Sequence, residues 1–162
     1  MISKVRGPQA IGSFLGRIRS SKKSIVFTNG CFDILHVGHI RYLRKAKSLG
    51  DVLIVALNSD RSVSSIKPGR PINCQRDRAE ILSALPFVDC IVIFDEDTPE
   101  KLIRKVRPDV LVKGGDWRVS DIAGSDFVKS CGGIVKTIPF VKGYSTTKIL
   151  KMKNHVSEMH MK

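Results

Sequence analysis

Runs of β-branched and aliphatic residues recur along the chain at 24–28 (Ser-Ile-Val-Phe-Thr), 52–57 (Val-Leu-Ile-Val-Ala-Leu), 88–94, 110–112 and 134–138. The first two are apolar almost throughout, as expected of central strands covered on both faces. Between them the apolar positions change period. From Gly38 to Gly50, Ile40, Leu43, Ala46 and Leu49 recur at helical spacing with Lys47 beside them, and Gly50 suits the stop. Gln75 to Leu85 repeats this with Ala79, Ile81, Leu82 and Leu85, ending before Pro86. Thr98-Pro99-Glu100 predicts a further helix start, with Thr98 as N-cap and Pro99 at the first position. Its apolar residues are Leu102, Ile103 and Val106, and Pro108 ends it. Thr146 to Lys162 predicts a basic helix with a frayed end, carrying Ile149, Leu150, Met152 and Val156 on its apolar side.

Strand and helix in alternation predict an α/β fold: one Rossmann-like domain over residues 1–162, with a doubly wound parallel sheet of about five strands. Its core falls within about 24–150, and its ligands belong at the carboxyl ends of the strands.

Composition narrows the class. Of the 162 residues, 42% are hydrophobic and 27% charged, enough apolar surface for a packed core. No apolar run reaches the roughly 18 residues of a membrane-spanning helix, and Met1 to Gly12 lacks the apolar block of a secretory leader. Cys31, Cys74, Cys90 and Cys131 lie far apart with no CxxC pair, which reads as free thiols in a reducing compartment. A cytoplasmic location without membrane partners is the expectation. The formal charge of +13 attracts polyanions and does not by itself distinguish nucleic acid from phosphorylated metabolites.

The segment Thr28-Asn29-Gly30-Cys31-Phe32-Asp33-Ile34-Leu35-His36-Val37-Gly38-His39 carries the most chemistry. It leaves the first strand and runs into the first helix, where backbone N–H groups and the helix dipole suit a phosphate. Gly30 lets the backbone approach a ligand, and Gly38 clears space between the histidines. His36 and His39, three apart, face one pocket and present imidazole N–H donors. The rival readings are two structural histidines, or a metal held by Cys31, His36 and His39; zinc sites ordinarily need a fourth ligand and a recognisable pair spacing.

On these residues the chain resembles the HxGH nucleotidyltransferase superfamily, His36-Val37-Gly38-His39 being the signature. Within its cytidylyltransferase-like branch it is similar to the D-glycero-D-manno-heptose 1-phosphate adenylyltransferases. The likeness runs from about Ser24 to Leu150. It rests also on Leu57-Asn58-Ser59-Asp60, Gly69-Arg70-Pro71-Ile72-Asn73, Glu96-Asp97-Thr98-Pro99, Lys113-Gly114-Gly115-Asp116-Trp117 and Gly143-Tyr144-Ser145-Thr146-Thr147-Lys148. The resemblance implies the nucleotidylyltransferase type of sheet and transfer of AMP from ATP to the heptose phosphate, with pyrophosphate as co-product and Mg²⁺ accompanying ATP. The product, ADP-heptose, feeds lipopolysaccharide core synthesis. It also implies roles. His36, His39, Lys67 and Arg78 stabilise or contact the phosphates. Thr28, Asn29, Gly30, Cys31, Phe32, Gly38, Lys113, Gly114, Asp116, Tyr144, Ser145, Thr146 and Thr147 line the nucleotide, the Cys31 thiol itself being read as structural. Asp33, Asn58 and Asp60 face the substrate. No protein-held metal is implied, and a homodimer is. Some relatives fuse this domain to a sugar kinase; none is evident in this sequence, so the sugar phosphate is expected from another polypeptide.

Two alternatives stay open. One is a cytidylyltransferase acting on glycerol 3-phosphate or a related small phosphate. The other is a nucleic-acid-binding module, since HxGH also marks aminoacyl-tRNA synthetases; aromatic residues at 6% offer few stacking platforms for it. No GxxxxGK[ST] and no GxGxxG follow the first strand, which removes the P-loop and dinucleotide-binding classes.

Overall fold

The computed structural model describes residues 4–115, 117–139, 143, 144 and 146. In chain order the elements are β1 (Val5–Arg6), α1 (Ile11–Ser20), β2 (Ile25–Gly30), α2 (Val37–Lys47), β3 (Val52–Asn58), α3 (Asp60–Ile66) and α4 (Gln75–Ser83). There follow β4 (Cys90–Phe94), α5 (Glu100–Val106), β5 (Val110–Gly114), a 3₁₀ turn (Val119–Asp121), α6 (Ser125–Ser130) and β6 (Ile134–Ile138).

All six strands form one parallel sheet in the order β1-β4-β3-β2-β5-β6. The sixth strand corrects the sequence count of about five: β1 is two residues at the sheet edge, pairing Val5 with Ile91 and Arg6 with Val92. Every residue of β3 is buried, as its unbroken apolar run requires.

Alternate side chains divide between two layers. Ile25, Phe27, Ile54, Val92 and Leu111 pack with Ile11 and Leu15 of α1, Ile103 and Val106 of α5 and Val128 of α6. Val26, Leu53, Val55, Ile91 and Val112 pack with Leu43 and Ala46 of α2 and Ala79 and Leu82 of α4. Burying each such aliphatic side chain contributes about 1.5–3 kcal/mol. β2 leads on to β3 on one side, whereas its other neighbour, β5, leads on to β6. The strand order therefore reverses between β2 and β5, and a crevice opens there at the carboxyl ends of the strands.

The helix after β4 begins one residue later than its sequence signal. Pro99 takes the cap position, the helix starts at Glu100, and Arg107 in the left-handed conformation ends it before Pro108. α1 repeats Ile11, Phe14, Leu15 and Ile18 at helical spacing. α3 and α6, of seven and six residues, are too short for periodicity to reveal. Among the described residues no helix is long and apolar enough to cross a membrane. All four cysteines are free thiols. Apart from Thr146, the basic C-terminal helix expected over 146–162 lies outside the described residues.

Candidate active site

β2 delivers the chain into the crevice at Gly30. The chain then turns so sharply that Phe32 adopts φ +43° and its ring folds back over Gly30. A Cβ on Gly30 would sit 2.9 Å from that ring, so glycine is required. His36 caps α2 in an extended conformation, and no acidic residue lies in the helix's first turn, while Arg44, Lys45 and Lys47 occupy its last. The C-terminal partial charge is balanced by the chain's own cations. The N-terminal one has no acidic side chain in the first turn to balance it.

The two imidazoles stack at this helix start, with ring centroids 3.9 Å apart and planes 23° from parallel. The backbone N–H of His36 donates to His39 Nδ1 at 3.4 Å. A neutral His39 then carries its proton on Nε2, the atom that serves as donor. Burial, together with the charges of His36 and Lys67, pushes His39 down to about 4, and burial also lowers His36. His36 Nδ1 is buried without a hydrogen-bond partner among the described residues. A buried orphan of this kind costs about 1–3 kcal/mol until a partner arrives.

Gly38 makes the stack possible: a Cβ there would lie 2.9 Å from His36 Cε1 and 3.0 Å from its Nδ1. Gly38→Ala is expected to leave α2 intact and displace the His36 ring. Turnover should fall by up to about 100-fold with little change in melting temperature, measured by steady-state kinetics and thermal unfolding. The His39 shift also gives a signed expectation. The unfolded chain takes up this proton near pH 6.5 and the folded chain only near 4. The stability contributed by neutral His39 is therefore full above 6.5 and lost as pH falls through that window. Imidazole NMR titration of the free protein should show His39 protonating near 4, with the proton on Nε2 above that.

Around the pair lies a cleft of about 980 Å³. It is lined by Asn29 and Gly30 at the end of β2, by Cys31, Phe32, Asp33, His36, Gly38 and His39 from the turn and the start of α2, by Asn58 at the end of β3, by Lys67 just after α3, and by Lys113 and Gly114 from β5. Tyr144 and Thr146 close one side. Lys113 Nζ donates to Asn29 Oδ1 at 3.1 Å and lies 5.8 Å from the centre of the Trp117 ring, and burial lowers its ammonium. Asp116, Ser145 and Thr147 lie outside the described residues.

Three sequence expectations change. The Thr28 hydroxyl is buried 2.6 Å from Tyr42 Oη, away from the cleft lining. Asp60 also lies off the lining and accepts from Arg78 Nη2 at 2.8 Å. Arg78 itself does not reach the cleft. Its side chain is fully buried, with Nε donating to Asn73 O at 3.0 Å and Nη1 to Cys31 O at 2.6 Å and Asn58 O at 2.9 Å. A guanidinium so engaged ties these loops together.

Asp33 does line the cleft, yet its carboxylate is already occupied. It accepts from the Ile72 and Asn73 N–H groups at 2.8 and 2.9 Å and pairs with Arg70. Burial pushes its carboxyl up, but these donors outweigh burial and hold it below the usual range. The sequence motifs assign no site role to Arg70 or Tyr42. Arg70 lies three residues past Lys67 in Gly69-Arg70-Pro71, and Tyr42 follows His39 at the i+3 spacing that repeats the motif's own face. Burial pushes the Tyr42 hydroxyl up to about 12, so it stays a neutral strut between Thr28 and Val112 O.

A doubly wound parallel sheet with a cleft at its switch point, headed by stacked imidazoles at a helix start and lined by Lys67, Arg70 and Lys113, has the arrangement of an α/β nucleotide-binding fold. Comparison with known proteins gives the family: residues 27–155 match the model described as cytidylyltransferase-like, and the chain belongs to that family. It is 58% identical over 134 residues to the bifunctional protein HldE of Campylobacter concisus, covering 82% of this chain and 28% of that protein. It is 50% identical over 150 residues to the bifunctional protein HldE of Syntrophotalea carbinolica, covering 92% of this chain and 31% of that protein. The chain thus spans less than a third of the length of these relatives. Among solved structures, the lipopolysaccharide core biosynthesis protein of Thermoplasma volcanium superposes with a TM-score of 0.60 at 31% identity, over 76% of this chain and 99% of that one. The pantoate–β-alanine ligase of Francisella tularensis shares the fold at 17% identity and a TM-score of 0.55, over 98% of this chain and 79% of that one.

Proposed function

We propose that this chain transfers AMP from ATP to D-glycero-D-manno-heptose 1-phosphate, yielding ADP-heptose and pyrophosphate in the cytoplasm for lipopolysaccharide core synthesis. The observation that carries the transfer chemistry is the stacked His36–His39 pair at the N-terminus of α2, inside a cleft that also collects Lys67 and Lys113. The choice of acceptor is supported by the HldE relatives, by the Thermoplasma protein and by the Lys113-Gly114-Gly115-Asp116 and Ser145-Thr146-Thr147 blocks.

In this reading an oxygen of the sugar phosphate attacks the α-phosphorus of ATP in line. The new P–O bond forms as the bond to the β-phosphate oxygen breaks, and pyrophosphate leaves. The nucleophile is already anionic, so no general base is required. The N–H donors of His36 and His39 meet the charge that gathers on the α-phosphate oxygens, and neutral imidazoles make this a hydrogen-bonding role. Lys67 and Lys113 hold the remaining phosphates, together with Ser145, Thr146 and Thr147. Mg²⁺ enters with ATP. The same reading has the chain act as a homodimer, which equilibrium sedimentation checks.

Pyrophosphate release decides the matter, measured with a panel of sugar phosphates and glycerol 3-phosphate crossed against ATP, GTP and CTP. ATP with the heptose 1-phosphate is the expected productive pair. Turnover confined to CTP with glycerol 3-phosphate would overturn it.

A further inference from the structure

Among the described residues three carboxylates, Asp33, Asp97 and Asp121, line the cleft beside the cations Lys67, Arg70 and Lys113. Asp33 is bound by Arg70 and two backbone N–H groups, and Asp121 accepts from Ser120 Oγ at 3.0 Å. Asp97 has no hydrogen bond or ion pair among the described residues.

Its neighbours contrast with it. Ser59 N donates to Phe94 O at 2.9 Å, the Ser59 hydroxyl bonds to Asp95, and Ser62 Oγ donates to Glu96 O at 3.2 Å. Asp95 also meets Arg61 at 3.5 Å, and Glu96 Oε2 accepts from Asp95 N at 3.3 Å. The turn after β4 is thus tied down to the first turn of α3, while the Asp97 carboxylate on it lines the cleft with no hydrogen bond among the described residues.

An exposed carboxylate beside the phosphates of the proposed substrates disfavours further anions and favours a partner that donates hydrogen bonds in place of its water. Sugar hydroxyls are such donors, and a carboxylate oxygen accepts them through charge-assisted bonds. The position selects which sugar. The crevice between β2 and β5 is the nucleotide end of a doubly wound sheet, whereas Asp97 follows β4, on the far side of β3. Asn58, at the end of β3, lines the cleft between them.

We propose that Asp97 is a specificity residue that accepts hydrogen bonds from hydroxyl groups of the acceptor sugar. This rests on the sugar-phosphate reading above and adds that the acceptor is recognised as a polyol as well as a phosphate.

The test is steady-state kinetics of Asp97→Ala and Asp97→Asn beside the wild-type enzyme, with the heptose 1-phosphate and with analogues lacking one hydroxyl at a time. Asp97 is exposed, so both variants should fold. Asp97→Ala is expected to raise KM for the sugar phosphate about 10- to 100-fold, leaving KM for ATP and the Mg²⁺ requirement unchanged, with Asp97→Asn in between. For the analogue lacking the recognised hydroxyl, wild type and Asp97→Ala should become equal. Unchanged kinetics in an active enzyme, or a change confined to KM for ATP or to Mg²⁺, would overturn the assignment of Asp97 and leave the functional reading standing. A wild-type enzyme that transfers to no sugar phosphate would overturn both.

Discussion

His39→Ala is expected to lower kcat by about 100- to 1000-fold, the usual cost of removing one preorganised donor to a developing oxyanion. The ring is held for that task by its own surroundings. It stacks on His36 at 3.9 Å, meets the Phe32 ring edge-on at 5.3 Å, and takes the His36 N–H on Nδ1, which leaves Nε2 as donor. None of these contacts is a large stabiliser. The backbone bond is long at 3.4 Å, and α2 stays anchored by Leu43 and Ala46. The variant should therefore melt within about 4 °C of wild type, so that lost turnover reports chemistry and not unfolding. Because both imidazoles serve one phosphate, His36→Ala combined with His39→Ala should cost less than the product of the single losses. Near-normal turnover in His39→Ala would remove the phosphate role.

How much of this was legible in the sequence depends on the range of the interactions. The central strands could be read because their burial is written into consecutive residues: 52–57 is apolar throughout and becomes a strand with no exposed position. The histidine pair could be read because three residues on a helix suffice to place both rings. β1 could not, since two residues carry no period and Val5 and Arg6 are strand only by virtue of β4 beside them. α1 carries its signal in Ile11, Phe14, Leu15 and Ile18, four apolar positions among the polar and charged residues of a basic stretch. The pairing of Asp33 with Arg70 spans 37 residues and exists only once β2 and the loop after α3 have been brought together. Arg78 shows the limit most plainly. An arginine near a phosphate motif reads as a phosphate ligand, and only burial reveals that its donors are already committed.

That commitment makes the second prediction. Arg78→Lys should destabilise the protein by about 3 kcal/mol, lowering the melting temperature by roughly 6–12 °C for a chain of this size. The guanidinium bridges the carbonyls of Cys31 on the phosphate-binding turn, Asn58 at the end of β3 and Asn73 before α4. One ammonium cannot span this fork, and the carbonyls it abandons stay buried. Asp60 should suffer least, because its side chain is 40% exposed and water can replace the lost partner. Below the melting transition the effect on catalysis follows from the same contacts. Asn73 also donates to Asp33 O at 2.7 Å, so loosening it frees the loop that carries Lys67 and Arg70 from the turn that leads into His36. Turnover should then fall while KM for ATP holds, since no atom of Arg78 lines the cleft. Urea unfolding alongside steady-state kinetics separates the two roles. Undiminished stability together with a raised KM for ATP would return Arg78 to the phosphate-binding role that the sequence first suggested.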